Sequence, residues 1–276
     1  MREAGDIAMD YFRHGAPTHA EVSHKSCGSP VTEADLRIDN FLREKLGALA
    51  PDLGWLSEET ADSPERLERE ALFVVDPIDG TRGFAAGDPC FAICVAVVVG
   101  ARPALAVIRA PALDQTFVAI AGGGARRNGQ PIAVSSRATL YGARVSAPES
   151  ELAFLQRSGL AFEAQPKLPS LAMRLLRVAD GEFDAALARQ NAYDWDLAAA
   201  DLILHEAGGA LTDYSGATPL YNRVQPKHPA LAAAPLGLQA ELVRAARQGA
   251  TQATTQAASK DRNAPTGAPA PTAKAK

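Results

Sequence analysis

The sequence predicts an α/β fold: a layered sandwich of two subdomains with the active site in the cleft between them. Residues 91–99, 104–110 and 115–120 are apolar, strand-forming segments separated by turn signals, which predicts an antiparallel meander. Helical periodicity precedes these strands, and short strands alternate with helices in the second half of the chain. We therefore expect an α+β subdomain over residues 1–140 and an α/β subdomain over residues 141–248.

The helices of the first half are predicted from their periodicity and their start signals. Residues 1–13 have a helical pattern. Thr32-Glu-Ala-Asp35 is typical of a helix start, and apolar residues at helical spacing follow it until Pro51. Two helices therefore precede the apolar strands.

The second half carries three more helix signals and a tail. We expect helices near residues 152–158 and 171–180. A further helix begins at Asp194, where acidic residues suit the helix dipole, and ends at Gly208-Gly209. The last segment, residues 249–276, contains no large apolar residue, and we expect it to be a disordered tail.

The composition excludes several classes of function. With 276 residues and a hydrophobic fraction of 47%, the chain can bury a large core. The net charge of −4 gives no basic surface for a nucleic acid polymer. No apolar stretch approaches the roughly 20 residues that a transmembrane helix needs, and no signal peptide is visible. Three cysteines are too few for a disulfide scaffold, so we expect a cytoplasmic protein.

The segment Leu72-Phe-Val-Val-Asp-Pro-Ile-Asp-Gly-Thr81 carries the strongest chemical signal. Its apolar start predicts a buried strand that ends at Asp76. Pro77 favours an extended conformation at Asp76, and a sharp turn after it would aim Asp79 and the Ile78 carbonyl at the same point. Two carboxylates and a carbonyl are hard oxygen donors, which suit Mg²⁺, Mn²⁺ or Ca²⁺.

The end of this segment predicts an anion site next to the cation. Gly80 and Thr81 offer backbone N–H groups at an expected helix start, where anions bind readily. A cation beside an anion indicates phosphate chemistry. Asp-Pro and Asp-Gly also mark ordinary turns, so the segment needs partners elsewhere in the chain.

Three other acidic positions are candidate partners, and each has a simpler explanation when it is taken alone. Asp35 is placed to cap its helix. Glu58, in Leu56-Ser-Glu-Glu59, fits a solvated acidic turn. Asp196 fits a favourable charge at a helix start, with Asp194 as the alternative cap.

Taken together and in order, these pieces resemble the inositol monophosphatase superfamily of Mg²⁺-dependent, typically lithium-sensitive phosphatases. The resemblance covers roughly residues 1–248 and implies the layered αβαβα sandwich of that superfamily. The pieces that carry it are Lys25…Ser29-Pro-Val-Thr-Glu-Ala-Asp35, Ser57-Glu-Glu59, Asp76-Pro-Ile-Asp-Gly-Thr81 with Gly87-Asp-Pro-Cys-Phe91, and Asp194-Trp-Asp196 with Glu206-Ala-Gly-Gly209.

The resemblance implies a role for each matching residue. Thr81, paired with Asp35, would orient the attacking water, and the amides of Gly80 and Thr81 would hold the phosphate. Glu58 would serve both catalysis and metal binding. The implied metal ligands are Glu58, Asp76, the Ile78 carbonyl, Asp79 and Asp196.

The resemblance also implies the cofactor and the partners. Two or three Mg²⁺ ions would bind, with Mn²⁺ as a substitute, and the substrate would be a small-molecule phosphate ester. A metal-bound water supplies a nucleophile near neutral pH, so no nucleophilic side chain is required. Proteins of this family commonly form homodimers, and the sequence leaves the oligomeric state open.

Two other classes were weighed against this interpretation. Haloacid-dehalogenase-type phosphatases place two Asp with one residue between them, whereas two residues separate Asp76 from Asp79. A metal- or phosphate-binding regulatory protein that has lost activity would usually lack a ligand, whereas every ligand position here is filled. The sequence therefore predicts a phosphatase.

The resemblance gives an order to the candidate substrates. The leading one is adenosine 3′,5′-bisphosphate, hydrolysed to AMP and phosphate by a 3′(2′),5′-bisphosphate nucleotidase that would serve sulfate assimilation. Inositol 1-phosphate and histidinol phosphate are the alternatives. Arg189 stands where the inositol phosphatases typically have a carboxylate, and a base suits an extra phosphate. Lys167 and Arg174 would add to this charge, and Ser170-Leu171 resembles a substrate-contacting segment.

Overall fold

In the computed structural model of this protein, two large β-sheets alternate with three layers of helices, and strands β1 and β2 pair as a separate two-stranded sheet. The structure describes residues 1–26, 28–157 and 159–262. The helices are α1 (Arg2–Tyr11), α2 (Glu33–Leu49), α3 (Thr81–Ala86), α4 (Glu149–Arg157), α5 (Leu171–Ala179), α6 (Asp194–Glu206) and α7 (Leu236–Arg262). The strands are β1 (Val22–His24), β2 (Pro30–Thr32), β3 (Gly54–Ser57), β4 (Ala71–Asp79), β5 (Ala92–Val99), β6 (Arg102–Ala110), β7 (Gln115–Ile120), β8 (Ala125–Arg127), β9 (Gln130–Pro131), β10 (Arg144–Ser146), β11 (Glu163–Gln165), β12 (Ala185–Ala188), β13 (Gly209–Asp213) and β14 (Leu231–Pro235).

The larger sheet contains the predicted meander. Its order is β3-β4-β5-β6-β7-β8-β9, in which β3 and β4 are parallel and every later pair is antiparallel. Residues on β4 alternate between its two faces, as a strand requires. Phe73 and Val75 pack against α1 and α2, whereas Leu72 and Val74 face the middle of the molecule. This alternation explains why the strand is apolar at every position from Ala71 to Val75.

The smaller sheet has the order β11-β10-β12-β14-β13 and mixes parallel with antiparallel pairs. One face packs on α5 and α6, which also cover the larger sheet, and the other face packs on α4 and α7. The layers are therefore α1/α2, larger sheet, α5/α6, smaller sheet and α4/α7. This confirms the predicted αβαβα sandwich.

The middle helix α6 is buried along nearly its whole length, and small residues Ala198, Ala199 and Ala200 form part of its packing surface. It contacts β4, β5 and β6 on one side and β13 on the other. Because α5 and α6 pack on both sheets, a boundary at residue 140 does not follow from the packing. The proposed division into residues 1–140 and 141–248 stays a prediction.

Most predicted elements are present, with shifted ends. The Thr32 hydroxyl accepts from the Asp35 amide while the Asp35 carboxylate accepts from the Thr32 amide, which is the predicted helix start of α2. The chain end differs from the prediction, since α7 continues to Arg262 and so includes residues 249–262. This stretch contains no proline and is rich in alanine, the strongest helix former. Residues 263–276, the rest of the predicted tail, lie outside the described residues.

None of the helices in the described part of the chain is both long and apolar enough to span a lipid bilayer. Cys90 and Cys94 are free and buried, and Cys27 is not among the described residues.

Candidate active site

The carboxyl ends of two parallel strands bring Glu58 and Asp76 together. Ser57 on β3 is the register partner of Val75 on β4, and the Glu58 amide donates to the Val75 carbonyl at 3.3 Å. The parallel pairing of the two strands ends here, and the next residue of each is Glu58 and Asp76. Glu58, predicted only as a possible partner, therefore lies beside Asp76.

The segment after Asp76 stays in the strand instead of turning sharply as predicted. β4 continues to Asp79, and its pairing with β5 shifts register between Asp76 and Asp79. Pro77 lies inside this irregular stretch and cannot donate a backbone hydrogen bond to the ladder. The irregularity still brings Asp76, Ile78 and Asp79 to the wall of one cavity of about 490 Å³.

Three carboxylates converge at this cavity and lack a counter-charge at their centre. One oxygen each from Glu58, Asp76 and Asp196 lie within 4.8 Å of one another. Asp76 is 1% exposed, and neither of its oxygens accepts a hydrogen bond from any described residue. Burial raises the pKa of Asp76 well above its usual range, and the neighbouring carboxylates Glu58 and Asp79 raise it further.

This environment fits a bound divalent cation. A buried carboxylate without a partner is strongly unfavourable, and a cation held by the converging oxygens would remove the penalty. Carboxylate oxygens are the donors that hard cations prefer, and the site offers no sulfur or imidazole ligand among the three. The residues present therefore fit the metal ions that the sequence predicts.

Asp79 is fixed by the first turn of α5. One carboxylate oxygen accepts from the Ser170 hydroxyl and from the Ala172 amide, each at 2.6 Å, and the other accepts from the Leu171 amide at 3.3 Å. Burial raises the pKa of Asp79 to about 6, although these hydrogen bonds act in the opposite direction. A helix N-terminus thus holds the carboxylate in place.

Asp196 reaches the same cavity from the first turn of α6. Its carboxylate accepts from the Tyr193 amide at 2.6 Å, which satisfies a free N–H at the helix start. Its surroundings raise its pKa well above the usual range through desolvation, and the charge of Asp79 adds to the effect. Asp196 therefore caps its helix and faces the other carboxylates at the same time.

Asp35 and Thr81 form the predicted pair. The Thr81 hydroxyl lies 3.1 Å from one oxygen of Asp35 and 2.9 Å from the Ile78 carbonyl, both of which are acceptors. The other Asp35 oxygen accepts from the amide and hydroxyl of Thr32. Burial raises the pKa of Asp35 to about 6, against the effect of the hydrogen bonds from Thr32 and Thr81. Asp35 caps α2 with one oxygen and holds Thr81 with the other.

Gly80 is required at the start of α3. Its φ is +96°, in the left-handed region that favours glycine, and a Cβ there would lie 3.1 Å from the Ser170 nitrogen and 3.2 Å from the Ser170 Cα. Gly80 and Thr81 both line the cavity. Their role in holding phosphate stays a prediction.

Lys25 supplies a positive charge at the outer side of the cluster. Its Nζ donates to Glu58 Oε1 and Glu59 Oε1, each at 2.8 Å. Burial is the largest single influence and lowers the pKa of Lys25, but the charges and hydrogen bonds of Glu58 and Glu59 together outweigh it and raise the pKa to about 12. Burial raises the pKa of Glu59 to about 7. Glu59 thus supports the site indirectly, through Lys25.

Asp39 on α2, which is not among the predicted site residues, fixes the Glu58 segment. Its two oxygens accept from the hydroxyls of Ser57 at 2.5 Å and Thr60 at 2.6 Å, one on each side of Glu58. A signal was present in the sequence, because Asp35 and Asp39 are four residues apart and therefore lie on one face of the helix.

Asp194 has a partner that the sequence does not predict. This fully buried residue binds His228 Nε2 at 2.7 Å and accepts from the Asn222 amide at 2.8 Å. Asp194 is therefore directed to the loop before β14 and away from the cavity, which leaves Asp196 as the residue that faces it. No local pattern links positions so far apart in sequence.

The three predicted substrate residues have different surroundings. Lys167 lines the main cavity, and Arg189 lines an adjoining cavity of about 280 Å³. Ser170, predicted as a substrate residue, has other contacts in the structure. It is fully buried, its hydroxyl donates to Asp79, and it caps α5 by accepting from the Met173 amide. Its place at a helix start explains this: the Ser170 side chain positions Asp79 and is not among the residues that line the two cavities.

The match to known proteins extends over most of the chain. A family model described as the inositol monophosphatase family matches residues 1–252. The 3′(2′),5′-bisphosphate nucleotidase CysQ of Aggregatibacter actinomycetemcomitans is 32% identical over 231 residues, which are 80% of this chain and 86% of that protein. A histidinol-phosphatase of Chlorobaculum parvum is 33% identical, with 78% of this chain and 83% of that protein covered.

A solved structure shows that the similarity extends to the fold. The IMPase of Thermotoga maritima superposes with a TM-score of 0.79 at 28% identity, covering 91% of this chain and 95% of that one. Relatives that are named for different substrates therefore have nearly the same sequence identity to this chain.

Proposed function

We propose, on the premise that this chain belongs to the inositol monophosphatase family and is a metal-dependent phosphatase, that it hydrolyses a small-molecule phosphate monoester with Mg²⁺. The observation that carries this proposal is that neither oxygen of buried Asp76, which lies beside Glu58 and Asp196, accepts a hydrogen bond from the described part of the chain. Such an arrangement is unfavourable in a protein that never binds a cation.

The metal ions would be held by Glu58, Asp76, the Ile78 carbonyl, Asp79 and Asp196. Divalent cations supply two things when bound: a water with a lowered pKa and a positive charge next to the phosphate. Fixing the ligands is the task of the chain itself. The first turn of α5 holds Asp79, and Asp39 holds the residues on both sides of Glu58.

Thr81 would orient the attacking water. Its hydroxyl proton is directed at acceptors, the Asp35 carboxylate and the Ile78 carbonyl. The lone pairs on the Thr81 oxygen are then free to accept a hydrogen bond from a water in the cavity. Asp35 would thus act through Thr81.

The leading substrate is adenosine 3′,5′-bisphosphate, which would make the protein a 3′(2′),5′-bisphosphate nucleotidase that serves sulfate assimilation. Lys167 on the wall of the main cavity supports this choice, and so does Arg189 in the adjoining one. Inositol 1-phosphate has no second anionic group that could use such charges. The nucleotidase relative at 32% identity is consistent with the same choice.

The experiment is a comparison of kcat/KM for adenosine 3′,5′-bisphosphate, inositol 1-phosphate and histidinol phosphate. Phosphate release is measured with Mg²⁺, and a matched EDTA-treated sample gives the metal-free rate. We expect hydrolysis only with metal, and the highest kcat/KM for the bisphosphate. Equal rates with and without metal would reject the mechanism, whereas a higher kcat/KM for inositol 1-phosphate or histidinol phosphate would reject only the substrate.

A further inference from the structure

The start of α6 is tied to a distant part of the chain, the 222–228 segment that precedes β14. Three backbone hydrogen bonds of 2.8–3.0 Å join residues 191–194 to residues 226–228, so that the two stretches run antiparallel. Asp196 follows directly in the first turn of the helix. The 222–228 segment therefore holds the backbone just before the carboxylate that faces the acidic cluster.

A buried side chain fixes the same junction. Asp194 has no exposed surface, and His228 is 7% exposed. One Asp194 oxygen lies 2.7 Å from His228 Nε2, and the other accepts from the Asn222 amide at 2.8 Å. An ionised carboxylate only accepts hydrogen bonds, so His228 is the donor. Because a buried carboxylate without donors is strongly unfavourable, Asp194 keeps the 222–228 segment against the helix.

The segment is also fixed to the other side of the acidic cluster. Arg66 is 3% exposed and lies between Glu58 and β4. Its Nη1 donates to the Asn222 side-chain oxygen at 2.7 Å, and its Nη2 donates to the next backbone carbonyl of the segment at 3.0 Å. A series of contacts from Arg66 through Asn222 to Asp194 thus connects the stretch after Glu58 with the start of α6.

Tyr193 connects the segment to Asp196 itself. The Tyr193 amide donates to the Asp196 carboxylate at 2.6 Å. Tyr193 is also the bridge partner of Lys227, whose Nζ lies 4.9 Å from the centre of the Tyr193 ring, a favourable arrangement of a cation and an aromatic face. The same ring stacks on Trp195, with centroids 4.4 Å apart. A displacement of the segment would therefore move the amide that holds Asp196.

We propose that the 222–228 segment positions Asp196 for cation binding, with His228 as a positioning residue that acts through Asp194. The proposal rests on the metal site proposed above and adds a determinant of its affinity that is not among the residues lining the cavity. Glu58, Asp76 and Asp196 repel one another without a cation. The protein must therefore impose their approach, and residues behind the ligands are where that constraint is supplied.

The first test measures Mn²⁺ binding to the full chain by calorimetry, without substrate. His228→Phe keeps a ring and removes the donor to Asp194, and we expect the Kd for Mn²⁺ to rise about tenfold. His228→Gln keeps an N–H donor and should restore most of the affinity. If His228→Phe does not fold by circular dichroism, Arg66→Lys decides the outcome, because it keeps the charge and loses the two-pronged contact with the segment.

A matched control separates positioning from a general loss of stability. Gln239→Leu removes two buried hydrogen bonds far from the acidic cluster, to the Thr212 hydroxyl at 2.8 Å and to the Ala232 carbonyl at 2.9 Å. Chemical denaturation gives the stability of each variant. We expect Gln239→Leu to lose stability and to bind Mn²⁺ as the wild type does. If His228→Phe also loses stability without loss of Mn²⁺ affinity, the segment only stabilises the fold, and the proposal is overturned.

The second test needs no metal and follows hydrogen exchange at the Tyr193 amide in EDTA. We expect this amide to lose protection in His228→Phe and to keep it in Gln239→Leu, because the start of α6 opens locally. Unchanged protection in His228→Phe would overturn the positioning role. A wild type that binds no Mn²⁺ would instead overturn the proposed metal site, and exchange at the Tyr193 amide would then decide the positioning role on its own.

Discussion

Replacing Ser170 by alanine tests whether this residue acts through Asp79 or touches the substrate. The Ser170 hydroxyl makes two contacts in the interior: it donates to Asp79 at 2.6 Å and accepts from the Met173 amide at 2.9 Å. Alanine removes both contacts and adds no steric conflict. The remaining donors to Asp79 are the amides of Ala172 and Leu171.

The magnitude follows from these two contacts. Loss of a serine N-cap costs about 1 kcal/mol, and loss of a buried hydrogen bond to a charged group costs roughly 1.5–3 kcal/mol. We therefore expect the free energy of unfolding to fall by about 3 kcal/mol, which lowers Tm by roughly 6–12 °C in a protein of this size. Because Asp79 would be held less firmly in this variant, we expect kcat to fall by about 10- to 100-fold.

The assay combines unfolding with kinetics on two substrates. Chemical denaturation gives the free energy of unfolding, and kcat/KM is measured for a monophosphate and a bisphosphate. Because Ser170 acts through Asp79, both substrates should lose activity by the same factor. The matched control is Ser63→Ala, which removes an exposed serine cap at a 3-10 turn and should leave activity unchanged. A loss confined to one substrate, or stability within 0.5 kcal/mol of wild type, would refute the reasoning.

Three further predictions concern the carboxylates and the helix start beside them. Asp79→Asn should keep the circular dichroism spectrum and lower kcat by several orders of magnitude, and near-normal turnover would remove Asp79 from the site. Gly80→Ala should reduce the free energy of unfolding by at least 1–2 kcal/mol, the cost of the left-handed conformation alone, with further loss from the close approach to Ser170. A variant as stable as wild type in urea would contradict this. Metal-free protein should lose stability as pH rises from about 4 to 7, because the pKa of Asp35 is about 6 in the folded state instead of 3.8, so its neutral form contributes stability that is lost as pH rises through 6. The pKa shift corresponds to about 3 kcal/mol of stability. Calorimetric scans in EDTA should show Tm falling over this pH range, and Mg²⁺ should reverse the fall. A Tm that stays flat or rises would contradict the expected sign.

The parts of the site that the sequence predicted are those with a local signal. The start of α2 was predicted because Thr32 and Asp35 form a capping box within three residues. The segment from Asp76 to Thr81 was predicted because a strand and its polar end adjoin in sequence. The meander followed from alternating apolar runs and turns.

What the sequence did not predict depends on contacts between distant segments. Lys25, which follows β1, meets Glu58, which follows β3, and no pattern around Lys25 shows this. The buried pair of Asp194 and His228 joins a helix start to a loop. Ser170 was assigned to the substrate because its contact with Asp79 depends on how α5 docks, which only the packed layers determine.

The alanine-rich α6 between the two sheets has a consequence for how the affinity for cations can change. Asp196 stands on this helix, whereas Asp76 stands on the larger sheet and Glu58 follows β3, so the separation between the helix and that sheet sets the gap between the oxygens. A bulkier residue in place of a buried alanine of α6 would change that separation without touching a ligand. The strength of ion capture can therefore be tuned from the interior, by the volume of side chains that never meet the ion.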